Sequence, residues 1–287
     1  MKLKPSLKIA QLFHIEIIYQ YTNIEALFNG IIIKEPKTIN EEICLWASDC
    51  LYVNDSNEII TGDKFLNERL EQFIEKKNDK DRSSLIDNLD YFITSFSRTK
   101  DSLPMWGMYG KNGSGIALGF DINIIKEKYN GLLHRCVYMD DDIKSKIISL
   151  CKKIQGEKIS EESFAITIGI VFFALLLKND TESLDKILEE IIPVIIFRAC
   201  AKDNAYNYEN EIRLLRQLDE KSVLRFRHQN NLIVPYIENY FPKESLKEIW
   251  VGPTNDMKRT IKSLRTYLDH KGFTDVIIIP SEVPYRG

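Results

Sequence analysis

The sequence predicts an α+β protein with a core of β-strands and a helical insertion. Two observations support this class: strand-like segments occur near both ends of the chain, and the long helical segments gather between them. This order favours a mixed sheet over the regular strand and helix alternation of a parallel doubly wound fold. We therefore expect a single α+β domain over residues 1–287, with a helical insertion at residues 140–200.

Composition excludes several classes of protein. Hydrophobic residues make up 44% of the 287 residues, which suffices for a large core without disulfides or metals. The formal net charge is only −3, so any contact with nucleic acid has to be local. Five cysteines without CxxC spacing predict reduced thiols, and lysines within residues 1–13 interrupt any apolar targeting segment. We expect a cytoplasmic protein that has no membrane partner.

The first half of the chain predicts short strands separated by loops and small helices. Residues 15–21 have the apolar and aromatic content of a strand. Thr22 and Glu25 form a capping box for a short helix that ends at Gly30. The further elements expected here are strands at 31–33, 45–47, 91–96 and 116–120, helices at 63–77 and 105–109, and a turn at 113–115.

The second half begins with helices and ends with strands. Residues 140–142 are an acidic helix start, and Pro193 is expected to kink the second of two helices at 160–178 and 181–198. Residues 164–177 are almost entirely apolar but shorter than the roughly 20 residues that a spanning helix needs, so we expect a buried helix. The remaining elements are strands at 211–216, 223–227, 232–236, 248–251 and 275–279, and a helix at 254–270 that Gly272 ends.

Common catalytic motifs are absent from the sequence. It contains no Walker A loop, GxGxxG, HExxH or GxSxG, and its four histidines lie in unrelated contexts. These absences exclude the commonest nucleotidases, zinc hydrolases and serine hydrolases.

The densest polar cluster lies at residues 206–213. If a strand begins here, Glu209, Glu211 and Arg213 share one face because side chains alternate along a strand. Two carboxylates and a guanidinium suit a sugar hydroxyl or a cationic transition state, with the arginine on a phosphate. The alternative is a solvated edge strand with an internal salt bridge.

A second cluster follows the strand at 91–96. Ser95 and Ser97 precede Asp101, Trp106 and Tyr109, which brings hydroxyls near amphipathic rings and suits a planar heterocycle. In the alternative interpretation, Trp106 and Tyr109 are core residues of a short helix.

Two further groups have both a functional and a structural interpretation. Asp55 and Glu58 lie in an Asx-turn sequence, and with Glu209 and Glu211 they could serve a metal-dependent nuclease, although the lysine that commonly accompanies such acids is not evident. A basic tract forms either a phosphate-binding stripe, with Arg225 and Arg227 on one strand face, or a solvated surface. Its members are Arg213, Arg216, Lys221, Arg225 and Arg227.

These short motifs, in this order, resemble the bacterial domain of unknown function 2971 family (DUF2971) over nearly the whole chain. The motifs are residues 19–22, 45–48 with Asn54, Asp55 and Glu58, 95–101, 105–110, 115–120, Lys202 with 209–213, and 281–286.

The order of Tyr, Ser and Glu-x-Glu also resembles, loosely, the ADP-ribosyltransferase superfamily. The resemblance implies a split β-sheet core that holds NAD as substrate, with Ser97, Glu209 and Glu211 catalytic. Glu211 would be the catalytic carboxylate, Glu209 would position the acceptor, and Ser95 or Ser97 would set the nicotinamide ribose. The residues it places on the NAD side are Tyr19, Tyr21, Thr22, Ser95, Asp101, Trp106, Tyr109, Lys202 and Arg213.

Three function classes stay open at this point. The resemblance implies an NAD-using transferase or glycohydrolase that serves as a bacterial toxin or phage-defence effector. Its acceptor would be a protein or nucleic acid, and a defence or toxin–antitoxin system would supply a regulatory partner. The other classes are a metal-dependent nuclease and a non-enzymatic ligand-binding or partner-binding module.

Overall fold

The structure is a computed structural model in which two compact units can be distinguished. Unit 1 comprises Met1–Cys44, Phe96–Gly131 and Tyr240–Gly287, and unit 2 comprises Leu45–Ser95 and Leu132–Asn239. The residues described are 16–33, 41–53, 91–129, 133–155, 192–220, 222–229, 231–253 and 256–284.

Unit 1 is built on a mixed sheet with strand order β12-β11-β4-β1-β3. Its strands are β1 (Ile17–Thr22), the end of β3 (Tyr91–Ser97), β4 (Ile116–Asp121), the end of β10 (Leu232–Phe241), β11 (Leu246–Val251) and β12 (Ile277–Pro280). Its helical elements are α1 (Ile24–Ala26), a π-helical turn (Leu27–Ile31), α2 (Leu103–Met108), α3 (Ile122–Lys128) and α6 (Met257–His270). Strands β3 and β10 continue into unit 2. Strands β11 and β12 are parallel and the other pairs are antiparallel.

The central strand of unit 1 explains its core. All six residues of β4 are buried, as expected of an apolar segment with strands on both sides. The rings of Phe96, Phe120, Phe241 and Tyr129 pack in sequence, with centroids 5.3 to 6.2 Å apart. Aromatic burial of this extent stabilises the unit without disulfides.

Unit 2 contains a second run of strands, in the order β3-β2-β10-β9, and β8 pairs with both β3 and β5. Its strands are most of β2 (Ile43–Asp49), most of β3, β5 (Leu133–Arg135), β6 (Val137–Met139), β7 (Ala201–Asp203), β8 (Glu211–Gln217), β9 (Arg225–Gln229) and most of β10. Its helical elements are the 3₁₀ turn Cys50–Tyr52, α4 (Asp141–Gln155), α5 (Ile192–Cys200) and the 3₁₀ helix Asn204–Glu209. Strands β6 and β7 form a separate parallel pair.

The core of unit 2 gathers small and sulfur-containing side chains around α5. Phe197 and Cys200 of α5 are fully buried, and Cys136 and Ile147 belong to the same apolar cluster. Cys44, Cys50, Cys136 and Cys200 are buried, and no disulfide joins them.

The mixed sheet with several helices confirms the α+β class. The strands expected at 15–21, 45–47, 91–96, 116–120, 211–216, 223–227, 232–236, 248–251 and 275–279 are present with shifted ends. The largest shift is in β10, which continues five residues beyond its expected end, to Phe241. The single domain over residues 1–287 and the insertion at 140–200 stay predictions. The helices expected at 63–77 and 160–178, and the buried run at 164–177, lie outside the described residues. No helix in the described ranges is long and apolar enough to cross a membrane.

Two local predictions are wrong, and one helix was missed. The cap of α1 is Asn23 rather than Thr22, since the Asn23 side chain accepts a hydrogen bond from Ala26 N (2.8 Å) while Thr22 completes β1. The strand expected at 31–33 is reduced to one bridge between Ile32 and Ile43. Helix α3 was not predicted, although Asp121 caps it through Asn123 N (2.9 Å).

Candidate functional site

Four charged side chains of unit 2 form a buried cluster, the carboxylate cluster, which consists of Lys202, Glu209, Glu211 and Arg213. Each of these side chains exposes no more than 6% of its surface. Burial of charge on this scale is costly unless each group is paired. Within the cluster, each charged group has a partner of opposite sign.

Local backbone geometry brings the two glutamates together from different elements. Asp203 at the end of β7 caps the 3₁₀ helix through Ala205 N (2.8 Å), and Glu209 ends that helix. Asn210 then adopts a left-handed conformation (φ 43°), which asparagine tolerates better than most residues, and β8 begins at Glu211. The expectation that Glu209 and Glu211 share a strand face is therefore wrong.

Lys202 joins the two carboxylates. Its ammonium nitrogen Nζ donates to Glu209 Oε2 and to Glu211 Oε2, the latter at 2.9 Å. The same nitrogen lies 5.1 Å from the centroid of the Tyr206 ring. A single ammonium thus offsets the repulsion between two buried carboxylates.

Arg213 holds Glu211 from the same strand face, as the sequence predicts. Its Nε donates to Oε1 and its Nη2 to Oε2 of Glu211, both at 2.9 Å, which is the bidentate geometry of strong guanidinium–carboxylate pairs. Its Nη1 donates to the Ala199 carbonyl at 2.6 Å. The guanidinium therefore has little freedom to reorient.

The charges decide the ionisation of Glu211. Burial by itself raises the pKa of this carboxyl, but Arg213 and Lys202 together, with a hydrogen bond from Ser95, lower the pKa to about 2. Burial, followed by a hydrogen bond with Cys200, raises the pKa of the Cys136 thiol. This thiol donates to Glu211 Oε2 with an Sγ–Oε2 distance of 3.6 Å. At neutral pH the cluster holds an ionised glutamate beside a protonated cysteine.

Ser95 lies next to this cluster and is exposed. It belongs to β3, which pairs with β8, and its hydroxyl donates to Glu211 because an ionised carboxylate can only accept. Ser95 therefore connects the buried Glu211 carboxylate with the protein surface.

Tyr19 of unit 1 belongs to a different hydrogen-bonded group. Its hydroxyl donates to Glu248 Oε1 (2.8 Å), and Trp250 Nε1 donates to the same oxygen (2.8 Å). Gly119 makes room for this pair, because a Cβ there would lie 2.6 Å from the Glu248 side chain. Burial, then the bond to Glu248, raises the pKa of Tyr19 well above its usual range. No feature of the sequence predicted Glu248 or Trp250 as partners.

Asp101 organises a loop of unit 1 and has a positive φ of 48°. It accepts hydrogen bonds from Trp106 Nε1 (2.8 Å), from the Ser281 hydroxyl and from Glu282 N (2.8 Å). Trp106 is fully buried, with the Tyr21 ring 4.8 Å away in edge geometry. These contacts favour the core interpretation of Trp106 over a role in stacking on a heterocycle.

The other predicted residues of unit 1 also make structural contacts. Tyr21 donates to the Thr99 carbonyl (3.0 Å), and burial raises its pKa to about 12. The buried Ser97 hydroxyl accepts from Thr99 N (2.9 Å). Thr22 pairs with Ile116 across β1 and β4, and Tyr109 caps the end of α2.

The predicted site residues therefore lie in two groups. Unit 1 holds Tyr19, Tyr21, Thr22, Ser97, Asp101, Trp106 and Tyr109, and unit 2 holds Ser95, Lys202, Glu209, Glu211 and Arg213. Their convergence on one site stays a prediction. Asp55 and Glu58 lie outside the described residues, and within the described part no group of three or more His, Cys, Asp or Glu side chains could hold a metal ion.

Some members of the unit 2 site were missed. Tyr138 OH accepts from Glu211 N (2.8 Å), and Cys136 N donates to the Glu211 carbonyl (2.9 Å). Both come from the β5–β6 segment, whose strands of three residues each are too short to give a recognisable alternation.

The fold and site define an α+β protein with a buried, internally paired carboxylate cluster. A family model described as protein of unknown function (DUF2971) matches residues 105–214, which supports the resemblance to that family. The matched segment contains the carboxylate cluster but is narrower than the nearly complete coverage expected from the motifs. No curated protein and no solved structure matches the chain, so the ADP-ribosyltransferase resemblance has no support from these comparisons.

Proposed function

We propose that this chain uses NAD as a substrate, releasing nicotinamide or transferring ADP-ribose to a macromolecule, with the carboxylate cluster and Ser95 as its catalytic centre. The observation that carries the proposal is the ionised Glu211, held by Arg213 and Lys202 and hydrogen-bonded to the exposed Ser95. The proposal assigns the chemical step to unit 2.

The chemistry requires negative potential beside a ribose carbon. When the bond between C1′ and the nicotinamide nitrogen breaks, neutral nicotinamide leaves with the electron pair and the ribose becomes an oxocarbenium ion. A pre-positioned carboxylate stabilises such a cation better than water, because its orientation is set before the reaction. Water or an acceptor nucleophile then bonds to C1′ and loses its proton.

Ser95 is the group that transmits this potential. Glu211 is too buried to contact a bound ribose over much of its surface, and Lys202 and Arg213 offset its charge. In this proposal the Ser95 hydroxyl donates its proton to Glu211, and the lone pairs of its oxygen serve the ribose. We therefore assign Ser95 to contact with the ribose and Glu211 to electrostatic stabilisation through it.

Glu209 takes a positioning role in this proposal. Its residue exposure is 3%, and its carboxylate binds Lys202. This geometry supports orientation of Lys202 rather than the acceptor contact that the resemblance implied. An NAD-consuming activity suits a bacterial toxin or phage-defence effector under the control of a regulatory partner.

The test is incubation of the purified chain with NAD labelled in its adenylate part, with and without cell lysate and EDTA. We expect nicotinamide release or labelling of a macromolecule that EDTA does not abolish. Ser95→Ala should reduce turnover, while Asp219→Asn, which alters an ion pair with Arg216 (3.2 Å) outside the cluster, should not. Intact NAD in every sample, with folded protein, contradicts the proposal.

One observation favours the metal-dependent nuclease as a second candidate. Lys202 contacts both Glu209 and Glu211, so a lysine does accompany the paired acids, contrary to the sequence interpretation. Cleavage of an oligonucleotide that requires Mg²⁺ or Mn²⁺, without release of nicotinamide, would replace the NAD proposal with this one.

A further inference from the structure

A second group of side chains with binding chemistry lies on strands β2, β9 and β10 of unit 2. We call it the aromatic–arginine face, and it consists of Trp46, Ser48, Arg225, Arg227 and Tyr236. Strands β9 and β10 pair antiparallel, with Arg225 opposite Tyr236 and Arg227 opposite Val234. Directly opposed residues share a face of the sheet, so both arginines project on the Tyr236 side.

Trp46 is the aromatic platform of this face. Its ring centroid lies 4.6 Å from that of Tyr236, with the planes tilted by 35°. The Arg227 guanidinium carbon lies 5.4 Å from the Trp46 ring centroid. Trp46 nevertheless exposes 40% of its surface, although the Tyr236 ring and the Arg227 guanidinium both lie against it. A flat aromatic surface is therefore held rigid and open to solvent.

Arg227 supplies a cation that no carboxylate in the described part of the chain pairs with. Its Nη2 donates to the Ser48 hydroxyl at 2.8 Å, and no carboxylate among the described residues lies within ion-pair distance of it. Its Nε is buried and has no acceptor in that part of the chain. Arg225 differs, because its Nε pairs with Glu238 at 2.9 Å. Arg227 thus has charge and donor capacity left for a ligand.

The charge of the hairpin identifies the ligand class. The paired part of the hairpin, residues 225–236, includes Arg225, Arg227 and His228 but no Asp or Glu, and Glu238 just beyond it pairs with Arg225. This cationic segment contrasts with the net charge of −3 for the chain, so it is a local feature. Anionic groups that also carry planar rings complement a cation beside an exposed tryptophan.

We propose that the aromatic–arginine face binds single-stranded nucleic acid. A base stacks on Trp46, and the adjacent phosphate accepts hydrogen bonds from Arg227. Stacking on an aromatic ring is tolerant of base identity, since every base has a π-face, so we expect weak sequence preference. This site does not rest on the NAD proposal, and either can fail alone.

The experiment measures fluorescence anisotropy of a dye-labelled oligothymidylate of about 15 nucleotides, a length suited to one sheet-based binding surface. Trp46→Leu and Arg227→Gln should each weaken binding at least about fivefold, the lower end of the effect of losing one stacked base. Arg227→Gln should also reduce the slope of log affinity against log salt by about 0.7, because one phosphate contact is lost. Trp46→Phe should retain most of the affinity.

Arg259→Gln is the matched control, because Arg259 lies on α6 of unit 1 with its side chain 88% exposed. It should leave binding unchanged. Circular dichroism and urea unfolding of every variant separate lost contacts from lost folding, and Arg227→Lys tests the charge without the planar fork. The absence of binding at low salt overturns the proposal, as does equal weakening by Arg259→Gln. Preference for an acidic peptide, polyglutamate, over the oligonucleotide also overturns it.

Discussion

Glu211 and Arg213 are two residues apart on β8 and form a bidentate ion pair, with both N–O distances at 2.9 Å, inside unit 2. Lys202 binds the same carboxylate, so Glu211 has cations on more than one side. A pair of this kind sets both the ionisation of the glutamate and the stability of its surroundings.

Glu211→Gln tests the catalytic role. The amide keeps the shape but removes the charge, so NAD turnover should fall by about 10² to 10³, the scale of losing one pre-organised electrostatic group. Binding of NAD should survive. The measurement is nicotinamide release by wild type and variant, both shown to be folded. Equal rates would exclude Glu211 from the mechanism.

Lys202→Met tests the pairing of the two carboxylates. Removing the ammonium leaves Glu209 and Glu211 buried with less compensation, so the free energy of unfolding should fall by about 3–5 kcal/mol. Urea denaturation at pH 7 measures the loss. The double variant Lys202→Met with Glu209→Gln should recover part of it, and a double variant less stable than Lys202→Met would contradict the coupling.

The low pKa of Glu211 predicts a pH dependence of stability. Its pKa falls from 4.5 to about 2 on folding, so the ionised group stabilises the folded state fully above pH 4.5. This contribution is lost as the pH falls from 4.5 towards 2, because the folded carboxylate must then take up a proton. Urea unfolding followed at several pH values in this window should show stability that decreases with acid. Glu211→Gln should show a flatter profile, and identical profiles would refute the assignment.

Asp101→Asn tests the loop of unit 1. The asparagine side chain keeps one acceptor oxygen. Its NH₂ group, however, replaces an oxygen that accepts a hydrogen bond in the wild type, for example from Glu282 N. Stability should fall by about 1.5–3 kcal/mol, the contribution of hydrogen bonds to a charged group. Asparagine tolerates the positive φ, which isolates the effect of the hydrogen bonds. Asp219→Asn, at a half-exposed ion pair, should change stability by less than about 1 kcal/mol.

The sequence by itself determined the α+β class, most strands of the sheet and the shared face of Glu211 and Arg213. These follow from local rules: alternation along a strand, caps at helix ends and glycine after α6 all act over a few residues. The same rules could not place Glu209, because the left-handed Asn210 moves it off the strand. They also predicted Thr22 as the helix cap in place of its neighbour Asn23. In the structure Asn23 is the cap, because Thr22 pairs with Ile116 in the sheet.

Tertiary structure alone decided which charges meet. Lys202 lies seven residues from Glu209 and nine from Glu211, and its approach depends on the turn through the 3₁₀ helix. Cys136, Ser95 and Tyr138 reach Glu211 from distant segments, and Glu248 reaches Tyr19 across 229 residues of sequence. Arg213 and Lys202 then lower the pKa of Glu211 by more than burial raises it, because the low dielectric strengthens each charge interaction. Sequence spacing carries no information on such contacts, since they exist only after the strands have paired.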